Sequence, residues 1–174
     1  MESVTGALNV EKNYRPGAIG ALMDEYERAG AEFARVVGSL TEEEFVRVAD
    51  SETKDEDCRS IQTIAGHVVR AGYGYADLIR DLFQMPRARP DRRLPLHQEV
   101  SADLDEMLRY TVATLEGKWQ MPDEEIFGAA IRPSWGSVCD LEQLLEHAIV
   151  HVLRHRRQTE RLLQKMRRET GPGI

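Results

Sequence analysis

Apolar residues recur at three- and four-residue steps in four long stretches, and no stretch sustains the strict alternation of a β-strand. The first stretch carries Ile19, Leu22, Met23, Tyr26, Phe33, Val36 and Val37; the second carries Ile61, Ile64, Val68, Gly72, Tyr75, Ile79 and Leu82. Leu104, Met107, Leu108, Val112 and Leu115 mark the third, and Leu141, Leu144, Ala148, Val152, Leu162 and Met166 the fourth. The expected fold is all-α, a four-helix bundle, with an irregular α domain of steeper crossings as the alternative arrangement.

Punctuation between the stretches sets their ends. Pro16 opens the first, because a residue without N–H loses nothing in a first helical turn, and Gly38-Ser39 ends it. Thr41 and Glu44 have capping-box spacing and predict a short extra helix through Val48. Asp50–Asp57 reads as a loop; Ser60 caps a second long helix from Ile61 to about Gln84. Gly66, Gly72 and Gly74 weaken that helix by up to about 1 kcal/mol each, or else permit close helix approach. The segment Pro86–Pro95 forbids a continuous helix and is long enough to cross the end of a bundle. The third helix is expected from about Ser101 to Trp119, followed by an irregular segment Met121–Ser137. Asp140 with Gln143 predicts the start of the fourth, which runs to about Arg168, before Gly171-Pro172-Gly173.

Composition narrows the class. A length of 174 residues fits one domain, residues 1–174, able to fold without a disulfide or a metal. Two Cys provide neither a disulfide framework nor a Cys-rich zinc module. A formal charge of -7 argues against a general nucleic-acid binder, so no nucleic acid is expected as a partner. The apolar runs are all broken by charges, so no membrane span is expected. MESVTGALNVEKNYRPG has no apolar core region of a secretory leader, and a cytoplasmic protein with reduced thiols is the expectation.

Histidine is the chemical lead. The fourth helix places His147, His151 and His155 at i, i+4 and i+8. Two imidazoles four residues apart project from one helix face and can share a metal. On a wheel of about 100° per residue, His155 falls inside the apolar stripe, His151 on its edge, and His147 near the polar side. The inward pair is therefore His151 and His155, with His147 at the rim. His67 is the one histidine of the second helix and lies roughly 90° from that helix's apolar centre, a flank position from which it could face the fourth helix. Three histidines would leave coordination positions open, the pattern of catalytic rather than closed structural sites. Imidazole suits Zn, Ni, Cu and Fe, so the residues leave the metal's identity open; the expected cofactor is a divalent ion, zinc or nickel first. The plainer alternative is that these histidines are core residues hydrogen-bonded to backbone or carboxylate.

Three short motifs carry a family resemblance. His151 through His155-Arg156-Arg157-Gln158 resembles the C-terminal His-x-x-x-His-Arg-Gly-Gln signature of the DinB-like (damage-inducible) family, with Arg157 where Gly is common. Ser60-Ile61 followed by His67-Val68-Val69 is similar to that family's second-helix stretch, and Trp135-Gly136-Ser137-Val138 to its approach to the last helix. The resemblance spans the chain in helix order and spacing. It implies an up-up-down-down bundle with a long crossover between helices two and three, a metal held by His67, His151 and His155, and frequent homodimers. It further implies a metal-dependent enzyme, a low-molecular-weight-thiol S-transferase or a hydrolase, acting on a small-molecule thiol and an electrophilic substrate. The alternative is a non-catalytic stress-response bundle.

Other features have plainer readings. A di-iron site would need Glu-x-x-His pairs, and neither Glu142 nor Glu146 has a His three residues on. Glu146 is instead a candidate second carboxylate orienting an imidazole. The tail Arg154–Glu169 has seven basic residues against two acidic, a local +5 that leaves -12 on the remainder, and the helix dipole accounts for it. Cys58 and Cys139 precede helices, where a thiol can become reactive, but incidental thiols are the simpler reading. His97, Asp77, Arg80 and Asp81 are expected at the solvated surface, and Tyr75 in the core.

Overall fold

A computed structural model describes residues 13–91, 93–134 and 136–170. The leader reading over residues 1–12, Arg92 of the linker, Trp135 of the third motif and the Gly171-Pro172-Gly173 stop lie outside the described residues. Among the described residues the regular structure is helical: α1 (Gly17–Gly38), α2 (Glu42–Val46), α3 (Ile61–Leu82), α4 (Val100–Leu115), α5 (Asp123–Gly128) and α6 (Leu141–Thr170). Single 3₁₀ turns occupy Glu56–Cys58 and His97–Glu99, and two isolated bridges join Val48 to Ser60 and Ile131 to Cys139.

The caps form where the sequence places them. The Thr41 hydroxyl accepts from Glu44 N at 3.1 Å and the Glu44 carboxylate accepts from Thr41 N at 2.9 Å. Ser60 with Thr63 and Asp140 with Gln143 make the same reciprocal pair. Helix α2 ends at Val46, short of the expected Val48, and two further differences are larger. Helix α4 stops at Leu115, because Glu116 leaves helical geometry and Gly117 takes φ +74°. The segment expected to be irregular contains α5, which starts after Pro122 with Asp123, Glu124 and Glu125 in its first turn, where acidic side chains meet the positive helix end.

Residue pairings give the direction of each long helix. Gly72, Asp77 and Arg80 of α3 meet Met107, Tyr110 and Thr114 of α4 in the same order, so these neighbours are parallel. Gly17 lies against Trp119, Tyr26 against Met107 and Val37 against His97, so α1 is antiparallel to α4. His67 and Tyr75 of α3 meet His155 and His147 of α6, again antiparallel. The long helices therefore run up, down, down, up. This corrects the expected up-up-down-down order. The reason is that the connections 39–60 and 116–140 each reverse the chain, while the connection between α3 and α4 does not.

That connection returns along α3. The Pro86 carbonyl accepts from Arg80 Nη1 at 2.7 Å near the C-terminus of α3, Arg89 pairs with Asp77 at 3.2 Å, and the Pro95 carbonyl accepts from Gln62 Nε2 at 3.0 Å near its start. Asp77 and Arg80 are consequently buried, which corrects the expectation that they are solvated; Asp81 is exposed and pairs with Arg87. The Asp77 carboxylate also accepts from Tyr110 Oη at 2.8 Å, and Arg80 Nε donates to the Thr114 hydroxyl at 2.8 Å with its guanidinium 4.0 Å from the Tyr110 ring. Burial of both charges is tolerable because each has a partner. His97 is likewise only 17% exposed, its Nε2–H donating to the Val37 carbonyl at 2.8 Å, and so is not the surface residue expected.

The three glycines of α3 separate by role. A Cβ on Gly72 would fall within 2.8 Å of Met107 Cε, so this glycine admits α4 closely, whereas Gly74 has open space around it. Gly66 faces the returning linker, where a Cβ would lie 3.2 Å from Pro95 Cδ. Gly72→Val should therefore cost about 1–3 kcal/mol by overpacking. Gly74→Ala should gain about 0.5–1 kcal/mol from backbone entropy. Urea unfolding of the two variants beside the parent checks the opposite signs.

Candidate metal centre

His67 sits in the second turn of α3, and His151 and His155 occupy successive turns of α6. Antiparallel packing of these helices brings the three imidazoles together. His67 Nε2 is 3.0 Å from His151 Nε2, ring centroids are 4.5 to 4.9 Å apart, and one ligand nitrogen from each ring lies within 4.8 Å of the others. Nitrogens sharing a tetrahedral ion at about 2.1 Å stand about 3.4 Å apart, so small ring movements suffice for the group to hold one. All three residues are half-buried, with the His67 side chain 26% exposed.

The local sequence explains each position. Residues 147, 151 and 155 step around α6 by a little more than one turn each, so successive rings drift toward the buried face set by Leu144, Ala148 and Val152. His147 accordingly remains exposed at the rim, its ring 5.6 Å from Tyr75, and lies outside the three-nitrogen group. Tyr75 is buried and flanks His151 at 5.6 Å, and desolvation pushes its phenol up to about 12, which keeps it neutral.

Two orienting partners were not singled out from sequence. The carboxylate beside His67 is Asp57, at 3.1 Å from Nδ1, contributed by the 3₁₀ turn before α3. Glu146, the sequence candidate for such a role, is exposed on α6. His155 Nδ1 is 2.9 Å from the Gln158 carboxamide oxygen, one turn further along. Gln158 belongs to the histidine motif itself, so i, i+3 spacing could have found it; Asp57 carries no local signal, because a turn and not a helical period places it. Arg70 pairs with Asp57 and also lies 3.1 Å from His67 Nδ1.

Electrostatics favour neutral imidazoles. Burial first, and then the neighbouring His155 and His67, lowers His151 from 6.5 to about 3, and burial lowers His155 in the same direction. Neutral rings present lone pairs to a metal at physiological pH. The Cys58 thiol, 3.8 Å from Gln158 Oε1, is raised by burial, as is Cys139, so neither has the depressed value of a reactive thiol. A cavity of about 360 Å³ lies on the adjacent flank of α3, bordered by Gly66, Val69, Tyr73, Arg93 and Glu106; it shares Arg70 with the site but is not lined by the imidazoles. No helix among the described residues is long and apolar enough to cross a membrane.

The sequence was compared with family models and with curated proteins; no family model matches and no curated protein does.

The lowered histidine values have a consequence for stability. Between about pH 6.5 and pH 3 the unfolded chain takes up a proton at position 151 that the folded chain refuses. This contribution is complete above pH 6.5 and is lost progressively as pH falls toward 3. Melting temperatures of chelator-treated protein should drop across this range, and less steeply in His151→Ala.

Proposed function

We propose that the chain is a divalent-metal-dependent enzyme of the DinB-like type, with zinc or nickel held by His67, His151 and His155. The observation that carries the reading is the convergence of three half-buried imidazole nitrogens from two helices within 4.8 Å. Resemblance of the Ser60–Val69 and His151–Gln158 segments to that family, and the ring of four long helices with a non-reversing connection between α3 and α4, support the same reading. A bound ion there would act as a Lewis acid, lowering the pKa of a thiol or water toward neutrality and supplying a nucleophile.

The chain's own residues prepare that position. Desolvation by α3 and α6 keeps His151 and His155 unprotonated. Asp57 and Gln158 hold the outer nitrogens of His67 and His155, leaving the inner nitrogens directed at the shared position. Tyr75 packs edge-to-face against His151. Partial exposure of His67 leaves a side open, which favours exchangeable coordination positions over a closed structural site. The substrates of this reading are a low-molecular-weight thiol with an electrophile, or water with a hydrolysable bond, in the cytoplasm, where Cys58 and Cys139 stay free thiols. A homodimer is the assembly that goes with it.

The test begins with protein purified without a polyhistidine tag. One equivalent of zinc or nickel should bind, and His151→Ala/His155→Ala should weaken binding at least a hundredfold by calorimetry. Full affinity in that double variant would remove the site assignment. Loaded protein should then accelerate transfer between a small thiol and an electrophile, read as thiol loss, and the double variant should not.

A further inference from the structure

We propose that Asp57 and Arg70 together decide which nitrogen of His67 carries its proton, and thereby whether His67 can act as a ligand. The inference rests on the metal reading above for its consequence, but its core concerns the metal-free chain. His67 Nδ1 has two polar neighbours at the same distance, Asp57 Oδ2 at 3.1 Å and Arg70 Nη2 at 3.1 Å. They make opposite demands. A carboxylate only accepts, so it requires Nδ1–H and leaves Nε2 bare. A guanidinium only donates and does not lose its proton, so it requires a bare Nδ1 and puts the proton on Nε2.

Nε2 is the nitrogen that faces the partner ring, 3.0 Å from His151 Nε2. With Asp57 in place, the carboxylate satisfies both neighbours at once. It accepts from Nδ1 and forms the ion pair with the same Arg70 Nη2 that stands beside the ring, giving that donor an acceptor other than Nδ1. The lone pair on His67 Nε2 then points into the site, where it accepts from His151 Nε2–H in the metal-free chain. Without the carboxylate, the hydrogen-bond partner left to Arg70 among the described side chains is Nδ1. The proton then moves to Nε2 and blocks it. Asp57 is thus a positioning residue whose effect runs through Arg70, and the pair is a tautomer lock rather than a simple prop.

This arrangement predicts a dependence that a structural role does not produce: removing the arginine should repair the loss of the aspartate. The experiment records imidazole nitrogen shifts of metal-free, ¹⁵N-labelled full chain by long-range ¹H–¹⁵N correlation. The parent should show His67 protonated at Nδ1, Asp57→Ala should show it protonated at Nε2, and Asp57→Ala/Arg70→Ala should return toward a mixture. Asp57→Asn, which keeps an acceptor oxygen, should retain the parent form in part. The His155 signals, held by Gln158, should stay fixed in every variant and report an intact fold. An unchanged His67 tautomer in Asp57→Ala overturns the proposal.

Cobalt(II) titration then reads the consequence by visible absorption. Affinity should fall about 10–100-fold in Asp57→Ala, as for loss of an orienting partner, and recover at least partly in the double variant. Equal losses in the single and double variants would also overturn the lock. If the parent binds no cobalt, zinc or nickel, the proposed function fails, and the tautomer shifts still decide this inference.

Discussion

The return of the proline-rich connection along α3 is the constraint on which the rest of the arrangement depends. Pro86, Arg89 and Pro95 lie against α3 from Arg80 back to Gln62, so α4 has to begin beside the start of α3 and run parallel to it. The linker and α4 then occupy one side of α3. Its other flank is left to α6, which comes back antiparallel after the reversing connection 116–140. His67 lies on that free flank, and His151 and His155 are what it meets. Burial of Asp77 and Arg80 under the linker is part of the same arrangement, because the linker can hold its course only if its polar contacts to α3 are answered.

The site inherits its character from that packing. Helix–helix contact desolvates the α6 imidazoles enough to keep them neutral, yet the site is near the surface and His67 stays partly open. A turn just before α3 supplies Asp57, and the next turn of α6 supplies Gln158, so each of two rings is held by its outer nitrogen. His151 Nδ1 is buried without a hydrogen-bond partner among the described residues, so this ring is oriented by packing and by its inner nitrogen's contact with His67 Nε2. The basic C-terminal stretch is partly absorbed into packing rather than left to the helix dipole. Arg156 pairs with Glu32 of α1 and Arg167 with Glu44 of α2, joining the end of α6 to the first third of the chain.

Much of this was legible locally. Four helical stretches, the caps at Thr41, Ser60 and Asp140, and the inward pair His151 and His155 follow from spacing, because each depends on residues within one or two turns. What spacing misjudged has a common cause. Asp77, Arg80 and His97 look like surface residues by type, and only contacts from distant segments bury them. His67 sits off the centre of its apolar stripe because α3 is covered on more than one side, and a single wheel centre averages its neighbours. Helix α5 was missed because six residues are too few to show a period, although Pro122 and three acidic residues mark its start.

By itself, the sequence determined that the chain is helical, where the long helices begin, and which two histidines share a face, since periodicity and capping are short-range physics. The tertiary structure decided the up-down-down-up order, which of three glycines admits a neighbouring helix, and the meeting of His67 and Asp57 with the α6 pair. Those outcomes hinge on the path of a connection with no period of its own. No local rule fixes where such a segment travels until it finds partners for its polar groups along a helix already formed.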